Sequence, residues 1–307
     1  MRILVVGAGS IGGYFGGRLL EAGRDVAFLV RPRRAEQLAR NGLSIRSRLG
    51  DVDIAAPTVL AEQLREPFDL ILLSCKAFDL EEAMASFAPA VGKDTAILPL
   101  LNGMRHLDLL EQKFGKRAVL GGMCAISTTL DGEGRVLHLN DVHNLSFGEL
   151  DGTITPRVET IAAAFAGAKF DARGSGTVVQ EMWDKWVFIA AAGGITCLMR
   201  APIGDIVSAD ASDVTLALLD ECAAIARAQG HPPGDAVMQR SRTMLSAAGS
   251  AFAASMLRDV ENGARSEVEH ILGDLLRRGG YATHPVLRIA YANVATYEAK
   301  RARTAAA

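Results

Sequence analysis

Met1-Arg2-Ile3-Leu4-Val5-Val6-Gly7-Ala8-Gly9-Ser10-Ile11-Gly12 is an apolar run that breaks into glycines at the spacing G-x-G-x-x-G. Short glycine patterns recur by chance, so the context decides what this one means. Residues 3–6 read as a strand, residues 14–22 have a helical pattern, and Gly23 suits the C′ stop of that helix. A glycine turn that joins a strand to a helix is where an open α/β sheet holds a dinucleotide. Gly7 permits the tight turn, Gly9 lets backbone approach a pyrophosphate, and Gly12 allows the helix to pack closely on the sheet. The helix start at Ser10 and Ile11 then offers unpaired N–H groups and the positive end of a dipole to the phosphates. A glycine-rich turn without a ligand is the plain alternative. The same apolar start resembles a secretory segment at a glance. It has no small-residue cleavage site, and the glycines fit a first strand better.

Arg31 narrows the cofactor. A site for NAD usually carries an acidic residue at the end of the second strand, where it binds the ribose 2′-hydroxyl. Here residues 25–30 read as that strand and Val30-Arg31-Pro32-Arg33-Arg34 follows, with no carboxylate. A guanidinium can pair bidentately with a 2′-phosphate that a carboxylate would repel. NADP(H) is therefore expected over NAD(H). Arg33 and Arg34 are equally well read as a solvated loop and helix start.

Outward from this motif, residues 68–74 and 95–101 are further continuous apolar runs, with helical stretches at 33–40 and 80–90 between them. Such strands alternating with helices predict a parallel sheet buried on both faces. Residues 136–139 and 144–147 read as strands or a hairpin extending that sheet, and 154–168 as a helix. From Gly174 the pattern is helical, at 178–192, 211–229, 236–247, 265–278 and 285–301, ending in a frayed Ala305-Ala306-Ala307 tail. The expected architecture is a doubly wound, mostly parallel α/β Rossmann domain over residues 1–173, followed by an all-α domain over residues 174–307 for substrate binding and dimerisation.

Composition bounds the function. The 307 residues are 49% hydrophobic and 22% charged with a formal net charge of -2, which gives no reason to expect nucleic acid or an anionic membrane as partner. The longest apolar run, 186–199, is too short to span a bilayer and contains Gly193-Gly194. Cys75, Cys124, Cys197 and Cys222 form no C-x-x-C pair, so neither a metal site nor a disulfide framework is expected, and a cytoplasmic setting fits. The Ala- and Leu-rich helices of the second half are candidates for a homodimer interface.

Residues for chemistry are fewer. Lys76 and Asn102 follow apolar strands, where an open sheet presents its ligands, although a loop lysine and an Asn-Gly turn are also ordinary. Lys185, in Trp183-Asp184-Lys185-Trp186 at the start of an apolar helix, either snorkels from a core helix or points an ammonium into a cleft. In carbonyl reduction a lysine supplies both the proton and the nearby positive charge that the developing alkoxide needs. Ser255 and Glu267 have a bland account. Ser266 with Glu269 would form a capping box, leaving Glu267 an exposed first-turn acid.

Taken together, these residues resemble the ketopantoate reductases (2-dehydropantoate 2-reductases), and the resemblance covers the chain from its first strand to its last helices. It rests on Gly7, Gly9, Gly12, Arg31, Lys76, Asn102-Gly103-Met104, Trp183 with Lys185, Ser255-Met256 with Asp259, and Ser266-Glu267. The resemblance implies an NADPH-dependent enzyme that reduces a small 2-oxo acid, with ketopantoate reduction to pantoate in pantothenate biosynthesis as the named candidate. It implies Lys185 as the general acid, Glu267 in the polar network at the reacting centre, and Ser255 on the substrate carboxylate. Asn102 and Lys76 would sit between nicotinamide and substrate. The chain departs from the family pattern at Ile189, Gly193 and Leu272, where asparagines are usual, and at Arg258, where glutamine is usual. A pocket that loses such donors suits a different, bulkier or less hydroxylated 2-oxo acid. A regulatory protein that binds NADP(H) without catalysis is the reading from another class, and retention of Lys185 and Glu267 stands against it.

Overall fold

The computed structural model describes residues 1–305, so Ala306 and Ala307 of the expected tail lie outside the described residues, while Ala305 ends the last helix. The chain divides into two compact units, Met1–Leu101 with His106–Val179, and Asn102–Arg105 with Gln180–Ala307. Gly174 ends a strand, and the helix that begins at Val178 carries the chain onward.

The strands of the first unit are β1 (Arg2–Val6), β2 (Asp25–Leu29), β3 (Leu43–Arg46), β4 (Val52–Ile54), β5 (Thr58–Val59), β6 (Leu70–Leu73), β7 (Ala96–Pro99), β8 (Gly121–Leu130), β9 (Val136–Gly148) and β10 (Asp171–Gly174). Its helices are α1 (Ser10–Glu21), α2 (Pro32–Asn41), α3 (Leu80–Phe87), α4 (Arg105–Phe114) and α5 (Pro156–Phe165). One sheet has the order β5-β2-β1-β6-β7, with every pair parallel. Its inner strands are apolar on both faces because helices cover both, as the continuous runs predicted. From β1 the chain winds outward through β2 to β5, then returns to pair β6 on the other flank of β1. The end of β1 is thus the switch point where such sheets bind ligands.

The hairpin of β8 and β9 does not extend this sheet, which corrects the expectation for residues 136–147. It forms a second sheet, β10-β9-β3-β4 with β8 on β9. Beyond β7 the first sheet gains only an isolated bridge between Ile97 and Val119, and Pro99 has no amide to continue a ladder. The second sheet instead covers the far side of α1. A Cβ on Gly16 would stand 2.7 Å from the Phe28 ring of the first sheet, and one on Gly17 2.8 Å from Ile45 of the second. The paired glycines of α1 therefore let two sheets close on one helix. Its end forms a Schellman turn, with Gly23 at φ +74, Gly23 N–H donating to Leu20 O and Arg24 N–H to Leu19 O, both at 3.0 Å.

The second unit is helical: α6 (Val178–Met199), α7 (Ile203–Ser208), α8 (Ser212–Ala228), α9 (Asp235–Leu245), α10 (Ser255–Glu261), α11 (Asp274–Gly279) and α12 (Pro285–Ala305). A π-helical stretch, Glu269–Gly273, leads into α11. The short helices α7 and α10 escape sequence periodicity because six or seven residues hold too few turns to show it. Helix α6 is apolar nearly all round and runs through the core of its unit. A Cβ on Gly194 would meet Leu218 of α8 at 2.9 Å and Ala290 of α12 at 3.3 Å, so that glycine admits both helices. No helix among the described residues is long and apolar enough to cross a membrane.

Candidate active site

The glycine turn is built from backbone. Gly7 takes φ +93, and its N–H donates to Leu29 O at 2.9 Å, joining the turn to β2. A Cβ on Gly12 would land on the Gly7 carbonyl and on Ser74 Oγ, so α1 can start this close to the sheet only with glycine there. Ser74 Oγ donates to Val6 O at 2.9 Å and lies 3.1 Å from Gly7 O, which braces the turn from the end of β6. Gly9 caps α1 in an extended conformation, and a Cβ built on it meets nothing within 4 Å. The N–H groups of Ser10, Ile11 and Gly12, at the start of α1, lie in the helix turn that has no intrahelical partners. With no acid in the first turn of α1, this geometry suits a pyrophosphate.

Arg31 caps α2 and is 64% exposed. Its guanidinium donates to Glu82 at 2.7 Å and lies 3.4 Å from Asp79. Arg34 does structural work instead: Nε donates to Ala8 O at 3.1 Å and a terminal nitrogen to Gly134 O at 3.0 Å, which ties the glycine turn to the β8–β9 hairpin. Its role corrects the expectation of a solvated arginine. Lys76 is exposed and begins a turn of 3₁₀ helix beyond β6, near the switch point.

In the helical unit, α6 carries Lys185, partly buried within the helix rather than at its first turn. Three contacts tie other segments to α6 and to one another. Trp186 Nε1, next to Lys185, donates to Ile271 O at 2.9 Å, which ties α6 to the π-helical stretch beyond Glu267. Gly193, two helical turns beyond Lys185, would place a Cβ 2.9 Å from Met256 Cε and 4.0 Å from the Ala254 side chain. These two residues flank Ser255, the exposed first residue of α10. His270, in the π-helical stretch, hydrogen-bonds the backbone of Asn102. The segments that bear Lys185, Ser255, Glu267 and Asn102 are therefore linked through contacts within one unit.

Of the positions that depart from the family pattern, Gly193 and Leu272 have apolar surroundings, while Arg258 is exposed. Leu272 is fully buried, 3.7 Å from where a Cβ on Gly194 would be, and Met256 fills the space facing Gly193. The expected capping box does not form. Glu269 accepts from Tyr291 Oη at 2.6 Å and from Arg277 at 3.1 Å, while the Ser266 amide donates to Glu298 at 2.6 Å. Partners from α11 and α12 outcompete a local cap because they bring charge as well as hydrogen bonds. Glu267 accordingly precedes the helix and is partly buried, rather than an exposed first-turn acid. Sequence reasoning also missed His270, and it named Met256 only within the Ser255-Met256 motif, not as the neighbour of Gly193. Neither carries a spacing signal, since their partners Asn102 and Gly193 lie far off in the chain.

Two family models match the chain: "Ketopantoate reductase PanE/ApbA" over residues 3–152 and "Ketopantoate reductase PanE/ApbA C terminal" over residues 177–298. The uncharacterized oxidoreductase YkpB of Bacillus subtilis (strain 168) is 38% identical over 304 residues, 98% of this chain and 100% of that one. A 2-dehydropantoate 2-reductase of Archaeoglobus fulgidus is 28% identical, covering 91% of this chain and 90% of that one. The crystal structure of 2-dehydropantoate 2-reductase from Methylococcus capsulatus superposes with a TM-score of 0.86 at 29% identity, covering 98% of each chain.

Proposed function

The chain belongs to the ketopantoate reductase family, oxidoreductases that act on CH–OH groups, and from that premise we propose that it uses NADPH to reduce a 2-oxo acid to the 2-hydroxy acid. Ketopantoate, reduced to pantoate for pantothenate biosynthesis, is the first candidate substrate, and a cytoplasmic setting goes with it. The observation that carries the reading is the linkage, inside the helical unit, of the segments bearing Lys185, Ser255, Glu267 and Asn102.

Gly7, Gly9, Ser10, Ile11 and Gly12 would hold the pyrophosphate, and Arg31 the 2′-phosphate. The carboxylates now on Arg31 do not exclude this role. An exposed ion pair is worth only about 0–1 kcal/mol, whereas a phosphate offers the guanidinium a more highly charged, bidentate acceptor. Lys76 would lie at the nicotinamide end. When bound, the nicotinamide supplies a hydride. Lys185 delivers the proton to the carbonyl oxygen and stabilises its developing charge. Glu267 holds the polar network around that proton, and Ser255 and Asn102 donate to the substrate.

The test is NADPH oxidation with ketopantoate and a panel of 2-oxo acids, repeated with NADH. Lys185→Ala should lower kcat by roughly 10²–10⁴-fold with NADPH affinity unchanged; equal turnover removes Lys185 from the chemistry. A second reading, reduction of a 2-oxo acid with a less hydroxylated side chain, is favoured by Met256 against Gly193 and by the burial of Leu272. It fails if ketopantoate is by far the best substrate of the panel.

A further inference from the structure

His270 is 6% exposed, three residues beyond Glu267 in the π-helical stretch. Its ring is hydrogen-bonded to the backbone of Asn102, and because that bond favours the protonated ring, the ring N–H donates and the Asn102 carbonyl accepts. A second contact lies beside it. Gly103 takes φ +76, and a Cβ there would stand 3.0 Å from His270 Cδ2 and 3.1 Å from the His270 carbonyl. The Asn102–Gly103 turn is therefore seated on this one residue by a hydrogen bond and by close packing.

The groups that act on the ring are Glu267 and Asp274, which favour its protonated form, and Arg105, which opposes it. Burial outweighs the two acids and pushes the imidazole below the ordinary histidine range, so it stays neutral near pH 7. A neutral ring keeps one donor for the Asn102 carbonyl without placing a second positive charge beside Arg105. Helices broaden into π turns frequently at functional sites, and here the broadened turn follows directly on Glu267.

We propose that His270 is a positioning residue for the reaction, fixing the Asn102–Gly103 turn relative to the helix turn that follows Glu267. The proposal rests on the assignment of Asn102 and Glu267 to the reaction site. In this role His270 acts through Asn102 and Gly103.

Two variants separate positioning from bulk. His270→Leu fills the space without a donor, and His270→Gln restores an N–H. Both are measured for kcat and KM per folded molecule with NADPH and the best 2-oxo acid. Hydrogen exchange at residues 102–105 is measured in parallel in the cofactor-free protein. His270→Leu is expected to lower kcat about 10- to 100-fold, the scale of a small misplacement of a positioned group, and to speed exchange at Asn102–Arg105. His270→Gln should recover most of both. Unchanged kcat with unchanged exchange in His270→Leu overturns the proposal, as does a glutamine variant no better than leucine. If the unmodified protein reduces none of the 2-oxo acids, the functional reading falls by itself. The exchange measurement then still decides whether His270 sets the turn, faster exchange in His270→Leu supporting it and unchanged exchange overturning it.

Discussion

Gly12 in α1 and Gly193 in α6 are both helical glycines with a neighbour where a side chain would go, but the neighbours differ in kind. At Gly12 the obstacle is the Gly7 carbonyl, a backbone atom held by the turn itself, together with Ser74 Oγ. At Gly193 it is Met256 Cε, the end of a flexible side chain, 2.9 Å from the position of a Cβ. The glycine turn is thus made of main chain, and main chain cannot be retuned without moving the fold. At Gly193 the neighbour is a side chain, and side chains can be exchanged while the helices stay in place. The departures from the family pattern accordingly fall at Ile189, Gly193, Arg258 and Leu272 in the helical unit, while the turn keeps all three of its glycines.

The largest effect should come from Gly12→Ala. A methyl group there cannot be accommodated by rotating a neighbour, so α1 must lift from the sheet, at a cost of about 3 kcal/mol. NADPH affinity should fall with it, because the N–H groups at the helix start move as one. Thermal unfolding and a fluorescence titration with NADPH check both. A variant that keeps both its melting temperature and its affinity breaks the claim that the turn is rigid.

Gly9→Ala separates the two functions of that turn. Gly9 has φ -80, which alanine adopts freely, and a Cβ there meets nothing within 4 Å. The melting temperature should therefore hold, while NADPH binding weakens about 10-fold or more, because the methyl group stands where backbone must approach the pyrophosphate. Loss of stability without loss of affinity would mean that the open space above Gly9 serves the fold and not a ligand.

The same contrast explains what the sequence discloses. Gly7 and Gly12 are legible because only glycine satisfies a main-chain constraint there, Gly7 through its φ of +93 and Gly12 through its closeness to the Gly7 carbonyl, and the apolar runs of β1, β6 and β7 are legible because both faces of the sheet are covered. Strands β3, β4 and β10 (Leu43-Ser44-Ile45-Arg46, Val52-Asp53-Ile54 and Asp171-Ala172-Arg173-Gly174) carry no continuous apolar run, and they build the second sheet that the hairpin joins. In the helical unit the linkage depends on single contacts between distant residues, such as Trp186 with Ile271 and His270 with Asn102. No local periodicity encodes such pairs. The capping box suggested by Ser266 and Glu269 was a local pattern overridden by Tyr291, Arg277 and Glu298.

Gly193→Ala should have the smallest effect. Alanine gains about 1 kcal/mol over glycine in a helix interior, and this offsets the cost of displacing Met256 Cε by a few tenths of an ångström. Stability should stay within about 1 kcal/mol of the unmodified protein. What should change is the response to a second substitution. Met256→Ala empties the space that the new methyl group presses on, so the two changes should be non-additive by at least about 0.5 kcal/mol in thermal or denaturant unfolding. Gly12→Ala offers no equivalent rescue, since Ser74→Ala removes one obstacle and leaves the Gly7 carbonyl in place. If Met256→Ala fails to couple with Gly193→Ala, or if Ser74→Ala restores Gly12→Ala, the distinction between a main-chain site and a side-chain site does not hold.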